Sequence, residues 1–300
     1  MVKMKILYRN NKWKGIWDSP KYEKLREIIK NEFSGLTFIE EGHKYFLNGK
    51  PMTCVSDVTH LFKEHFDSKQ KAIETSQRNW DNPDSKYFRM TPEAILESWK
   101  KISTEACEHG TFTHECGESL FYYMTGQIDK ILPSFKDRLT EDGGFMLLYP
   151  KEEAAGKFYE DIPECIVPIL AETKVYDEEL GYSGTFDILF YYDAELDNKT
   201  SDKSGLIVMD WKTNKDLYKN FKEQKLLHPF NELLDMPLNL YKLQLSLYQS
   251  CLNKVGLKVV ARRILWLKPD GTYDKINLEE YVNILRETLK NVELKPLEHE

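Results

Sequence analysis

The sequence predicts a mixed α/β (α+β) fold, and three observations carry that expectation. Between Ala171 and Thr213, three apolar runs (Ala171–Tyr176, Gly184–Tyr192 and Leu206–Thr213) are separated by a turn-like link at Asp177–Tyr182 and a polar loop at Asp193–Gly205. That spacing is the pattern of an antiparallel meander. Pro237–Cys251 repeats apolar residues at three- and four-residue intervals, the period of a helix. Val259–Lys268 then returns to a strand pattern, followed by a turn at Pro269–Gly271 and a short strand at Tyr273–Asn277.

In chain order, Trp13, Trp17 and Tyr22 stand among many lysines, and Tyr22–Phe33 has the spacing of an amphipathic helix. Phe38–Lys50 reads as a small hairpin turning at Asn48-Gly49, a pair that accepts positive φ. Cys54–Phe62 reads as a helix capped by Ser56 or Asp57, with Val58, Leu61 and Phe62 facing inward and His60 and His65 at the surface. Residues 67–89 are polar and hold the turn cluster Asp81–Ser85, so a loop is expected there. Thr91-Pro92-Glu93 joins a cap, a first-turn proline and an acid, and predicts a helix through Ala94, Ile95, Trp99 and Ile102 towards Cys107. Gly126–Pro150 reads as loop-rich, and Lys151–Ile169 as a helix interrupted late by Pro163 and Pro168. Leu278–Val292 reads as a closing amphipathic helix. A division into an accessory region, 1–90, and a core, 91–300, is expected.

Chemistry concentrates in the meander. Alternation along a strand puts Asp210 and Lys212 on one face and Trp211 on the other. Asp187 lies six residues before Asp193, and Asp210 five after Gly205, so the hairpin sets the two carboxylates opposite each other, about 5 Å apart. Like charges at that distance are unfavourable unless a cation sits between them. The pair suits a hard divalent ion, Mg²⁺ or Mn²⁺, with Lys212 placed to hold a water or steady an oxyanion. An ordinary Asp–Lys ion pair on a surface hairpin fits the same residues. On a helix, His114 and Glu118 face the same way, as a ligand and its orienting acid do, or as a plain surface pair does. If Lys212–Lys225 is helical, Lys215, Lys219 and Lys222 form one stripe, either a DNA contact or a solvated face. Gln244 and Tyr248 share a helix face beside the apolar stripe Leu240, Leu243 and Leu247, an arrangement that is by itself ordinary helix surface.

Composition sets the outer bounds. Three hundred residues with 41% hydrophobic content supply enough apolar material for a globular core. Met1–Arg9 lacks a signal-peptide apolar core, and no apolar run approaches the length of a membrane span, so a cytoplasmic protein is expected. The cysteines at 54, 107, 116, 165 and 251 show no CxxC spacing, and reduced thiols are expected. A net charge of −7 excludes a generic nucleic-acid coat; any DNA contact must be local.

Taken in order, Gly110-Thr111-x-x-His114-x-x-x-Glu118, Glu172, Gly184-Thr-x-Asp187, Asp210-Trp-Lys212-Thr213 and Gln244-x-x-x-Tyr248 resemble the PD-(D/E)XK nuclease superfamily. The likeness is to its RecB-like branch, which includes phage-type exonucleases. The resemblance implies a restriction-endonuclease-like core: a central mixed β-sheet flanked by helices, with an N-terminal hairpin and helical additions. It implies that His114, Asp187, Asp210 and the carbonyl of Trp211 hold one or two Mg²⁺ or Mn²⁺ ions, with Glu172 an outer acid and Glu118 behind the histidine. Lys212 would position the attacking water, and Gln244 and Tyr248 would orient the lysine or contact the DNA strand. Lys215, Lys219 and Lys222 would join Tyr248 in contacting DNA. The implied activity is a DNA exonuclease acting from single-stranded ends, in a bacterial or phage-infected cytoplasm or attached to a virion, beside an annealing protein or helicase. A duplex-end-processing exonuclease or endonuclease, and a catalytically silent DNA-binding or virion component, are the alternatives. His109 stands where many members have Arg, Asp replaces the more frequent Glu, and the four-cysteine iron–sulfur clasp of some relatives is absent, which removes that cluster as a cofactor.

Overall fold

The computed structural model describes residues 4–296. Met1–Lys3, part of the stretch read for a leader, lie outside them. The elements are β1 (Lys5–Leu7), α1 (Pro20–Glu32), β2 (Leu36–Ile39), β3 (Lys44–Leu47), β4 (Lys50–Cys54), α2 (Val55–His60), α3 (Ser68–Asn79) and α4 (Pro92–Thr125). They continue with β5 (Phe145–Leu147), α5 (Pro150–Asp161), β6 (Ile166–Asp177), β7 (Tyr182–Tyr192), β8 (Gly205–Lys212), α6 (Pro237–Lys254), β9 (Val259–Leu267), β10 (Tyr273–Asn277) and α7 (Val282–Leu289). The chain is mixed α/β, with a central mixed sheet flanked by helices.

Two compact units result: Glu64–Thr113 forms one, and the residues before Glu64 join those from His114 onward in the other. The expected division at residue 90 fails because β4 pairs in parallel with β7, tying the N-terminal hairpin into the central sheet. That hairpin turns at Asn48 and Gly49, both at positive φ, as their residue types anticipate.

The smaller unit replaces the loop expected at 67–89 with α3. Asp67 caps it by accepting from the Gln70 N–H at 2.9 Å, and Ala72 is fully buried. Alanine and long polar side chains carry enough helix propensity for a segment with little apolar content. Thr91 accepts from the Ala94 N–H at 3.3 Å and opens α4, which continues unbroken past Cys107 to Thr125.

Other expectations shift for local reasons. At α2 the cap position is Cys54, whose Sγ contacts the Ser56 hydroxyl, so neither Ser56 nor Asp57 serves as the cap; Leu61 points outward. The helix expected over Lys151–Ile169 stops at Asp161, and β6 begins at Ile166 because proline at 163 and β-branched residues beyond it favour extended backbone. Pro168 sits at a register irregularity of that strand, where a missing N–H is tolerated.

The order of the central sheet is β10-β9-β8-β7-β4-β3-β2, and β6 pairs along the length of β7. Since β6 takes one edge of β7, β8 and β4 share the other. β8 pairs antiparallel over Ile188–Tyr192, and β4 pairs in parallel at Tyr182 and Ser183. Between them, Gly184–Asp187 has no ladder partner on that edge, and the sheet forks. α6 crosses over from β8 to its parallel neighbour β9 and packs on β6, β7, β8 and β9 through a nearly continuous buried run from Leu245 to Leu252.

Asp177 ties the helices to the sheet. It is fully buried at the end of β6, and its carboxylate accepts from Lys254 of α6 at 2.6 Å, Arg286 of α7 at 2.7 Å and the Leu180 N–H at 3.2 Å. Burial alone would raise its pKa, but those hydrogen bonds outweigh burial and hold it below the ordinary carboxylate value. Among the described residues, no helix is long and apolar enough to cross a membrane. A group with a depressed folded pKa stabilises above its unfolded pKa, and that contribution fades as pH falls through the folded value. Asp177→Asn is therefore expected to cost about 2 kcal/mol at neutral pH, and its stability should fall less than that of the wild type on acidification below about pH 4, measured by urea unfolding across that range.

Candidate active site

The fork in β7 is where the sequence-predicted residues meet. β8 leaves the β7 ladder after Met209, so Asp210 and Asp187 face each other across the opening strands and bind each other's backbone neighbourhood. The Asp187 N–H donates to Asp210 Oδ1 at 3.3 Å, and the Trp211 N–H donates to Asp187 Oδ2 at 2.6 Å. An extended residue sends its N–H and C=O to the same side, so the Trp211 carbonyl faces the same opening. Lys212 Nζ donates to Asp210 Oδ2 at 2.6 Å and lies 4.4 Å from the centroid of Tyr241. Trp211 turns the other way, against Phe158 and Tyr159 of α5. Asp187, Asp210 and Lys212 are all buried.

The imidazole arrives on α4. His114 Nδ1 stands 3.2 Å from Asp187 Oδ1. One turn further, Gly117 lies so close to the Trp211 indole that a methyl group at its Cβ would collide with the ring. This bare patch brings the helix against β8 and sets the reach of His114. A second glycine serves the opposite boundary: a Cβ at Gly184 would stand 2.8 Å from Tyr248 Cε1, so α6 enters the fork there.

Electrostatics separate the two aspartates. Burial works against ionised Asp187, but attraction to His114 and Lys212, a hydrogen bond with His114 and the Trp211 N–H together depress its pKa. Asp210 is raised, because burial and repulsion from Asp187 outweigh Lys212. Desolvation lowers the pKa of His114 and of Lys212, yet the facing aspartates raise both above their ordinary values. Glu172 is pushed up to about 9 by burial, with repulsion from Asp187, Glu118 and Asp210 adding to it. Four carboxylates thus crowd one region against the side chains of His114, Lys174 and Lys212.

Glu172 also carries backbone strain. It is the residue between Ala171 and Thr173 in the β6–β7 ladder, yet its φ is 44°, the left-handed region, inside a strand. For a residue with a Cβ that conformation costs about 1–2 kcal/mol. Nothing in the sequence marks it.

Several expected roles change. Glu118 lies on the His114 face as the spacing requires, but its carboxylate accepts from the Tyr122 hydroxyl at 3.0 Å, so Asp187 and not Glu118 faces the imidazole. Tyr248 receives a hydrogen bond from Gln244 at 3.1 Å and is only 3% exposed, so it supports the fork and does not offer a DNA contact. The condition on which the lysine stripe rested, a helix after Lys212, is not met. Residues 213–236 form an irregular loop, because Asn220 binds the carbonyls of Gln224 and Asp235 at 2.8 Å and Lys222 and Glu223 take positive φ. Lys215, Lys219 and Lys222 remain exposed on that loop but form no helical stripe.

Two features escaped the sequence reading. Tyr241 precedes Gln244 by three residues on the same helix, a spacing that places both on one face. The loop also exposes Tyr218 and Phe221, the latter 65% accessible, with Lys222 Nζ 5.3 Å from the Phe221 centroid.

No family model and no curated protein matches this chain.

Among the described residues, no three His, Cys, Asp or Glu side chains stand in ligating array; the Asp187 and Asp210 oxygens face the Trp211 N–H, Lys212 and His114. The donor set itself fits a hard divalent cation: an imidazole beside carboxylates whose mutual repulsion adds to burial in raising the pKa of Glu172. Because Gly alone takes a φ near 44° without a Cβ penalty, Glu172→Gly is expected to be about 1 kcal/mol more stable than Glu172→Ala, read as the difference in their unfolding midpoints.

Proposed function

We propose that this chain is a metal-dependent DNA nuclease with a restriction-endonuclease-like core of the PD-(D/E)XK type, hydrolysing phosphodiester bonds from single-stranded ends. The observation that carries the reading is the convergence of His114, Asp187, Asp210 and Lys212, drawn from α4, β7 and β8, where β8 parts from β7. The alternating placement of Trp211 away from Asp210 and Lys212, and the α6 residues Gln244 and Tyr248 at the fork, agree with it.

His114, Asp187, Asp210 and the Trp211 carbonyl would hold Mg²⁺ or Mn²⁺, with Glu172 beside them. A divalent cation there supplies positive charge to a phosphate that becomes more negative as it is attacked. The protein's own contribution is positional. Asp210 and Tyr241 fix the Lys212 ammonium, and its raised pKa keeps the proton on Nζ, available to hydrogen-bond the attacking water or a phosphate oxygen. Trp211, packed on α5 and against Gly117, closes the rear of the site to solvent and keeps these charges in a medium where they act strongly.

The exposed loop after Lys212 supports a single-stranded substrate. Phe221 and Tyr218 alternate with Lys215, Lys219 and Lys222, so ring faces for unpaired bases lie beside cations for the backbone. Duplex DNA hides its base faces and would use only the cations.

Asp210→Ala and Lys212→Ala are expected to keep the wild-type circular dichroism spectrum and to lose about 10²- to 10⁴-fold in cleavage rate with Mg²⁺ or Mn²⁺. Wild-type cleavage by either variant, or none by the parent protein on any DNA, removes the assignment. With metal chelated to prevent cutting, Phe221→Ala should weaken binding to a single-stranded oligonucleotide about 10-fold and leave duplex binding within about twofold, measured by fluorescence anisotropy.

A further inference from the structure

Asp210 and Lys212 face the fork, while the alternate residues of the same strand, Ile207 and Met209, face a separate cleft of about 480 Å³. Its apolar floor includes Ile166 and Val260, and ring-bearing walls come from Phe158, Tyr192 and Tyr273. Lys199, Lys203, Arg263 and Lys275 stand around it, against the acids Asp161 and Asp197. On a chain of net charge −7 this is a local reversal of sign.

The acids are already engaged. Asp161 accepts from the Tyr273 hydroxyl at 3.0 Å, and Asp197 accepts from Tyr192 at 2.7 Å and pairs with Lys199. Those bonds also fix both tyrosine rings. Arg263 is different: among the described residues no carboxylate forms an ion pair with it, and its Nε donates to Asn277 Oδ1 at 2.8 Å, leaving the two terminal nitrogens as a fork. A half-buried guanidinium, oriented through Nε and lacking an acid, matches the geometry of phosphate oxygens. Burial lowers its pKa, a cost that an anionic ligand would recover. Lys203 and Lys275 likewise have no ion-pair partner among the described residues and add charge at the rim.

We infer that this cleft binds a nucleoside monophosphate, the phosphate on Arg263 with Lys203 and Lys275, and the base against the fixed rings of Tyr192 and Tyr273. A cation fork alone would hold any phosphate; the rigid aromatic walls and apolar floor are what favour a flat heterocycle attached to it. The site lies behind the strand that carries Asp210, so its occupancy does not require an open fork. The inference stands on the cleft alone and is independent of whether the chain cuts DNA.

The test uses the full chain with metal chelated, titrated calorimetrically with deoxyadenosine 5′-monophosphate, inorganic phosphate and deoxyadenosine. The nucleotide is expected to bind at least about tenfold more tightly than either part. Arg263→Met should abolish that binding. The paired changes Lys203→Met and Lys275→Met, at exposed positions, should weaken it about tenfold. Cys165, in the cleft lining, should be protected from maleimide by the nucleotide while exposed Cys107 is not. Phosphate binding as tightly as the nucleotide, unchanged affinity in the lysine double variant, or equal labelling of Cys165 with and without nucleotide would each overturn the inference.

Discussion

The arrangement depends on a confrontation of like charges: Asp187 and Asp210 are held opposite each other, buried, where β8 parts from β7. Two carboxylates in that position repel unless cationic groups stand beside them. Lys212 and His114 do so directly, each within hydrogen-bonding or ion-pair distance of one aspartate. The backbone N–H groups of Asp187 and Trp211 complete the shell. The register that pairs Ile188 with Met209 opposes these two residues, and the parting of β8 from β7 there frees the Trp211 N–H to donate to Asp187. The architecture around the fork is consistent with that demand. β4 takes the other half of the β7 edge, α6 enters at Gly184, and α4 is brought close by Gly117.

The stability of such a cluster comes from elsewhere in the fold. Burial of aliphatic and aromatic side chains in β8, α6 and α5 supplies the favourable energy, while the charged cluster and the left-handed Glu172 draw on it. Asp177, by contrast, is a buried acid with its partners in place, joining β6 to α6 and α7. The two acids illustrate different uses of burial. One is neutralised within the fold, and the other is left among like charges.

Much of the fold was legible because it rests on local chemistry. The meander, the Asn48-Gly49 turn, the Thr91-Pro92 helix start and the α6 periodicity all follow from residue types at fixed spacings. The opposition of Asp187 and Asp210 followed from counting outward along a hairpin, since side-chain period in a strand is fixed. Illegible features depend on contacts distant in sequence. The loop after Lys212 has lysines at helical spacing, but Asn220 and the backbone of Lys222 and Glu223 hold it irregular. The partner of His114 is 73 residues away in Asp187, not four away in Glu118. The φ of Glu172 has no sequence signature, and Gly117 reads as one more small residue until the indole of Trp211 is seen against it.

The central claim is that these side chains gather one divalent cation at the fork, and its most direct measurement is anomalous diffraction from crystals grown with Mn²⁺ and a short DNA strand. The expected result is a peak with Asp187 and Asp210 oxygens and a His114 nitrogen about 2.2 Å away, beside a backbone phosphate. A peak bound elsewhere, or DNA seated with no ion between the two aspartates, would contradict it.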